Sequence, residues 1–259
     1  MKRLTCSLAL LASTLISNPL LASDLVVTGQ VSVPGSFLWH QGARLLDLTT
    51  AAQVDTSSWP LGAALLRQSA KHEQRKLKAG VLFDLRAARV NAAALGDDSL
   101  TELLAALQQQ VAQMPVTGRV PAEMNPLKQR LAKFNPLLEP GDQLVYPGNP
   151  HTIRIVGAVN APCDLEFIPA QSPKRYLDSC SQHWIANPDE IYLIQPNGDT
   201  SRLGIAPWNS EDAWLAEGGT IYVPLRHALF GESGNDFNNE MAALLATQYI
   251  GVEATSAHE

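Results

Sequence analysis

What the chain lacks narrows it first. Its 259 residues carry 19 Lys and Arg against 25 Asp and Glu, a formal net charge of −6. The basic footprint needed to grip a phosphate backbone is therefore missing, and nucleic acid is excluded as a partner. Beyond the first two dozen residues no apolar run approaches the roughly 18 residues that span a bilayer as a helix. The usual catalytic signatures are missing too: there is no His pair at zinc-binding helical spacing, no phosphate loop, no nucleophile elbow and no glycine-rich dinucleotide fingerprint. The histidines, His40, His72, His151, His183, His227 and His258, are scattered without metal-ligand spacing, so no metal or cofactor is expected. A pair of carboxylates meeting in space could still serve a glycosidase, but no feature of the sequence points to one.

What is present begins with a leader. Lys2 and Arg3 precede an apolar stretch from Leu4 to Ile16, and Ala22 is the expected last residue before cleavage. The mature chain is predicted to be exported and soluble. Cysteine is scarce, three in all, and Cys6 falls inside the leader. The two that remain, Cys163 and Cys180, read as a disulfide in an oxidising compartment, the alternative being two buried small hydrophobes. Closing that loop would contribute about 3 kcal/mol in the chain-entropy treatment.

The organising feature is a repeat. Val26-Val-Thr-Gly-Gln-Val-Ser-Val-Pro-Gly-Ser-Phe37 returns, degraded, as Arg154-Ile-Val-Gly-Ala-Val-Asn-Ala-Pro-Cys-Asp-Leu165, so that Gly29, Val31, Pro34 and Phe37 fall on Gly157, Val159, Pro162 and Leu165. Each copy reads as a β-hairpin with a Pro-containing turn. A second echo, Pro140-Gly-Asp-Gln-Leu-Val-Tyr-Pro147 against Glu217-Gly-Gly-Thr-Ile-Tyr-Val-Pro224, closes each module. Repeats of this kind decide the fold before any local assignment does. A short amphipathic helix follows each hairpin, Ala43–Ala52 with Leu45, Leu48 and Ala52 on one face, and Pro173–Cys180. Asp189–Asp199 supplies a further strand and a Pro-Asn-Gly-Asp turn, matched in the first module by Trp59–Leu66. Hairpin, helix and further strands, given twice, are the order of a β-grasp module.

The fold class expected is thus α+β: two β-grasp domains in tandem, a helical hairpin inserted in the first, and a C-terminal amphipathic helix. The boundaries are 1–22 for the signal peptide, 23–67 with 115–149 for the first domain, 68–114 for the insertion, 150–228 for the second domain and 229–259 for the tail. In the insertion, Ser99-Leu-Thr-Glu102 has capping-box spacing. Leu100, Leu103, Leu104, Leu107 and Val111 then form one apolar stripe, opposed by Leu77, Val81, Leu85 and Ala88. The charged run Lys71–Lys78 reads as a solvated face or as a contact surface for an acidic partner. In the tail, Asp236 can cap a helix whose Phe237, Met241, Leu244, Leu245 and Gln248 share one face. That face packs on the protein's own modules or on a protein partner; without lysine or arginine, the helix is a poor ligand for anionic lipid.

One polar residue stands out in this pattern. Arg119 lies between apolar neighbours in Val116-Thr-Gly-Arg-Val-Pro121, and a guanidinium there must find acceptors or sit at a mouth open to water. It either snorkels or pairs locally, or it contacts a ligand such as an acidic sugar or a partner's carboxylate.

With the hairpin repeat, the helical insertion, Thr117-Gly118-Arg119-Val120-Pro121, Asn135-Pro136-Leu137 followed by Pro140-Gly141-Asp142, Val156-Gly157-Ala158-Val159 and the amphipathic tail in this order, the whole mature chain resembles the GfcC family of capsule-operon proteins. The resemblance implies a periplasmic component of group 4 capsule or related exopolysaccharide export. Its β-grasp domains would be similar to the soluble-ligand-binding domains of outer-membrane polysaccharide exporters, with polysaccharide or such an exporter as partner. It carries Arg119 over as the candidate ligand-binding residue. Cys163, which stands where the first copy has a turn glycine, departs from the family pattern, and Cys180 completes a pair that is no hallmark of the family. The function expected is non-enzymatic binding of glycan or of the export machinery; the alternative is a periplasmic enzyme that modifies or trims the polysaccharide.

Overall fold

The computed structural model describes residues 24–55 and 58–251. The leader expected over 1–22 lies outside the described residues. In chain order the elements are β1 (Leu25–Gly29), β2 (Gly35–Phe37), α1 (Leu45–Ala51), β3 (Ala64–Leu66), α2 (Lys71–Ala94), α3 (Asp98–Gln113), β4 (Arg119–Val120), α4 (Pro126–Gln129), β5 (Gln143–Tyr146), β6 (Thr152–Gly157), β7 (Cys163–Glu166), α5 (Pro173–Asp178), β8 (Glu190–Ile194), β9 (Thr200–Gly204), β10 (Thr220–Val223) and α6 (Gly234–Ala246).

The strands form two five-stranded mixed sheets of one topology, β2-β1-β5-β3-β4 and β7-β6-β10-β8-β9. The repeat seen in the sequence is a repeat of register. Val27 faces Gly35 as Ile155 faces Cys163, and Gly29 lies beside Tyr146 as Gly157 lies beside Val223. The first and last strands of each module run parallel in the centre of the sheet, and every other pairing is antiparallel. The two equivalent glycines are fixed by close approach. A Cβ at Gly29 would lie 2.0 Å from the Tyr146 carbonyl oxygen and one at Gly157 2.2 Å from that of Val223, at φ of +95° and +105°. Only glycine tolerates both constraints.

The sheets differ in what covers them. The first packs one face on α1, burying Leu25, Val27, Leu65, Leu144 and Tyr146 with Leu45, Leu48 and Ala52. Thr28 and Gln143 on its other face are exposed. The second sheet lies within a core that runs on through α5 and, without interruption, through α2, α3 and α6. The helices α2 and α3 stand between β3 and β4 in the chain, where β8 and β9 are joined by a short turn, yet their apolar stripe belongs to the core of the second sheet.

Several local expectations change. The N-cap of α3 is Asp97, whose carboxylate accepts from the Leu100 amide at 3.0 Å. Ser99 sits inside the first turn, and its hydroxyl lies 2.9 Å from the ring of His183. Asp97 holds the cap because it is the last residue with non-helical backbone, which the capping geometry requires. Asp236 does not cap α6, which begins two residues earlier, at Gly234; it lies in the first turn. A 3-10 helix, His227–Ser233, leads directly into α6. Cys163 and Cys180 are bonded, with their Cα atoms 6.1 Å apart, which ties the start of edge strand β7 to the residues after α5.

Candidate functional site

The site is assembled from the short strand around Arg119. Gln74, the buried residue of the run Lys71–Lys78, grips that strand by its backbone: its carboxamide accepts from the Gly118 amide and donates to the Arg119 carbonyl, each at 2.8 Å. The charged run is thus a solvated face except at Gln74, at Leu77, which packs on the core, and at Lys78, whose ammonium donates to the carbonyls of Ala112 and Met114 at the end of α3. A cation there matches the negative end of the helix, and burial pulls the Lys78 pKa down.

Arg119 is 9% exposed. Its guanidinium donates to Gln248 O at 2.7 Å and Pro196 O at 2.5 Å, with longer contacts to Ala246 O and Ala63 O. The Thr117 hydroxyl donates to Thr247 O at 2.7 Å and accepts from the Arg119 amide. The carbonyls of residues 246–248 lie at and just beyond the C-terminal end of α6. Thr117 and Arg119 cap them, and a cation suits that end of the helix. One side chain therefore joins the edge of the first sheet, the β8–β9 turn of the second and the end of the tail helix. Burial draws its pKa down to about 10, partly offset by the charge of Asp199, so it stays protonated at neutral pH.

Beside Arg119 opens a cleft of about 400 Å³ between the end of α3, strands β6 and β10 and residues 245–251. Its polar lining comes from Gln110, Gln113, Arg154, Asp164, Gln195 and Gln248, and Tyr249 adds an aromatic wall. Arg154 and Asp164 face each other across β6 and β7 at 4.0 Å, so their charges nearly cancel. The rim near Pro150 is pinned where Glu217 accepts from Asn149 and meets the His151 ring, both at 2.5 Å. Trp59 of the first domain lies against Gly218, a Cβ there coming within 2.5 Å of the indole.

The other candidates separate from this site. Phe237, Met241 and Leu244 are buried at 1%, 1% and 2% exposure, and Leu245 packs against the same core while lining the cleft. The face expected to meet a partner is occupied by the protein's own interior, because the second sheet offers α6 a large apolar surface to cover. Asn238 completes the anchoring, bonding Tyr222 and the backbone of Leu225. Sequence reasoning missed Gln74, Gln110 and Arg154. Only Gln74 left a signal, as the side-chain amide in a charged run.

The Ser99–His183 contact invites comparison with a nucleophile and its base, but the ring is the wrong tautomer. His183 Nδ1 accepts from the Ile185 amide at 3.3 Å, which leaves the proton on Nε2, donated toward Ser99. A base for serine needs that nitrogen free. Among the described residues no group of His, Cys, Asp and Glu is placed to hold a metal ion, and no helix is long and apolar enough to cross a membrane.

Two family models match the chain, "Capsule biosynthesis GfcC, N-terminal" over residues 27–148 and "Capsule biosynthesis GfcC C-terminal" over residues 161–250. The first contains the first sheet from Val27 to β5; the second runs from just before β7 to the end of the described tail. The chain is also similar to "Uncharacterized protein YjbG" of Escherichia coli (strain K12), 27% identical over 208 residues that cover 80% of this chain and 82% of that protein.

Proposed function

From its membership of the GfcC family of capsule biosynthesis proteins, we propose that the chain is a periplasmic, non-enzymatic component of capsule or exopolysaccharide biosynthesis and export. It binds glycan through tandem β-grasp domains, the first carrying α2 and α3 as an insertion. The leader-like first residues support the compartment, since Lys2, Arg3 and the apolar stretch after them have the form of an export signal. The bonded cysteine pair agrees with an oxidising environment.

The observation that carries the glycan reading is the cleft beside Arg119. A cavity of this size, lined by side-chain amides with one nearly neutralised ion pair and an aromatic ring, offers donors and acceptors in the mixture that sugar hydroxyls require. Arg119 acts there through its charge, its N–H groups being held by backbone carbonyls. The field of that buried cation, which Asp199 offsets only in part, favours an acidic sugar at this end of the cleft. An exporter, the other partner the family implies, would meet surfaces other than the buried face of α6.

The test is calorimetric titration of the mature protein with the exopolysaccharide of the strain that carries it, beside Arg154→Ala and Tyr249→Ala, whose folding is checked by circular dichroism. Saturable binding weakened in both variants is expected. New reducing ends in the titrated glycan would replace binding by the trimming enzyme, and absence of binding would remove the glycan reading.

A further inference from the structure

We propose that the cleft beside Arg119 is one end of a groove running the length of α3, and that this groove takes an extended oligosaccharide, an internal stretch of polymer and not a single sugar. The inference rests on the glycan reading and adds to it the form of the ligand. A second hollow, of about 320 Å³, opens beside residues 99–110 of α3. Gln110 lines both hollows, and on the strand side Val156 of the first is followed directly by Gly157 of the second, as Asp164 is by Pro162 across the hairpin. The two are consecutive parts of one channel between α3 and the β6–β7 hairpin. With 16 residues, α3 gives it a length of about 24 Å.

The chemistry along the channel selects the polymer. On the helix side Gln113, Gln110, Glu102 and Ser99 follow one another. The hairpin adds Arg154, Asp164 and Asn160. Arg119 stands at one end and Glu102 at the other, with the Arg154–Asp164 pair between, so no single sign of charge dominates. A polyanion charged at every unit, such as a nucleic acid, would find no continuous basic track, whereas a glycan with a sparse acidic sugar needs only the cation at one end. An extended peptide gains most from an unpaired strand edge, whereas Thr152, Arg154 and Val156 alternate along β6 and present one face of the sheet to the groove. Aromatic rings that can take the C–H faces of sugar rings lie in the first hollow and next to a lining residue of the second. Tyr249 lines the first hollow, and Trp184, 54% exposed, has its ring 5.7 Å from that of His183, which lines the second.

The experiment is calorimetry with size-fractionated fragments from partial acid hydrolysis of the host exopolysaccharide, on the mature protein and on Trp184→Ala and Gln110→Ala. Neither residue is in the buried core, and circular dichroism verifies both folds. Affinity is expected to climb by about tenfold or more from the shortest fragment to one that spans the groove. Gln110→Ala lowers affinity for every fragment that reaches it, while Trp184→Ala costs about tenfold for the longest fragments only. Equal affinity at every length, with Trp184→Ala silent, overturns the groove and leaves the single cleft standing. Failure of every fragment to bind overturns both. Binding of arrayed extended peptides in place of the fragments also overturns the proposal.

Discussion

The two sheets share strand order and register, yet they are stabilised differently. The first has one covered face and a small core, and it fastens its strands with polar contacts. Asp142, fully buried, accepts a two-point bond from Arg67 at 2.7 and 3.0 Å, tying β3 to the turn before β5. Burial opposes the Arg67 charge, but the bond to Asp142, the largest effect, outweighs it and raises the pKa. The Asn135 carboxamide accepts from the Leu46 amide at the start of α1, and the Tyr146 hydroxyl donates to Met124 O. The second sheet has such contacts too, among them Asn238 with Tyr222 and Leu225, but adds α2, α3 and α6 to a core that its counterpart's small one does not match. Duplicated strands thus do not imply duplicated cores. A helical pair encoded within the first repeat supplies the cover of the second.

That contrast can be broken at each end. Phe237→Ala, which removes a ring stacked on Phe230 at 4.0 Å between centroids, is expected to cost roughly 4 kcal/mol. Its effect should appear in urea unfolding together with loss of α6, seen as early proteolysis after residue 230. Asp142→Ala should cost roughly 3 kcal/mol, since Arg67 and the Glu139 amide then lose their shared buried acceptor. Hydrogen exchange should accelerate in β3 and β5 and leave β6 and β10 protected; acceleration spread over both sheets would show that the two cores are not separable. Replacing both Cys163 and Cys180 by Ser should lower stability by about 2 to 3 kcal/mol through the unfolded chain, with β7 the strand that frays.

The smallest effect sharpens the role of the helical cover. Burial first, then the charges of Asp84 and Asp236, raise the pKa of Glu240, and burial raises that of Asp84. A carboxylate with a raised folded pKa destabilises the native state once both states are ionised, and that penalty disappears as pH falls below the unfolded value. Glu240→Gln should therefore raise the thermal midpoint slightly at pH 7, and the gap from the parent should close by about pH 4. A gap that persists at pH 4 would mean that the carboxylate charge is not the cause.

Much of this architecture is legible in the residues. Gly29 and Gly157 mark equivalent strand ends, the apolar stripe from Leu100 to Val111 gives α3 its buried face, and Pro140-Gly141-Asp142 and Glu217-Gly218-Gly219 announce the closing strands. Of the candidate site, Arg119 is conspicuous because a lone cation among apolar neighbours has few places to go. The cleft that it borders is not legible, since Gln110, Arg154 and Tyr249 come from a helix, a strand and the tail, with no shared spacing.

The sequence by itself determined the repeat and the stripes, because alternation and helical periodicity report which side chains leave water; the register came with the structure. The tertiary structure alone decided that α2 and α3 cover the second sheet, that Arg119 and Thr117 cap the tail helix, and that Ser99 meets His183 instead of capping α3. Periodicity says that a face is buried but not against what, and a hydrogen-bonding group takes whichever partner the packed chain brings within 3 Å.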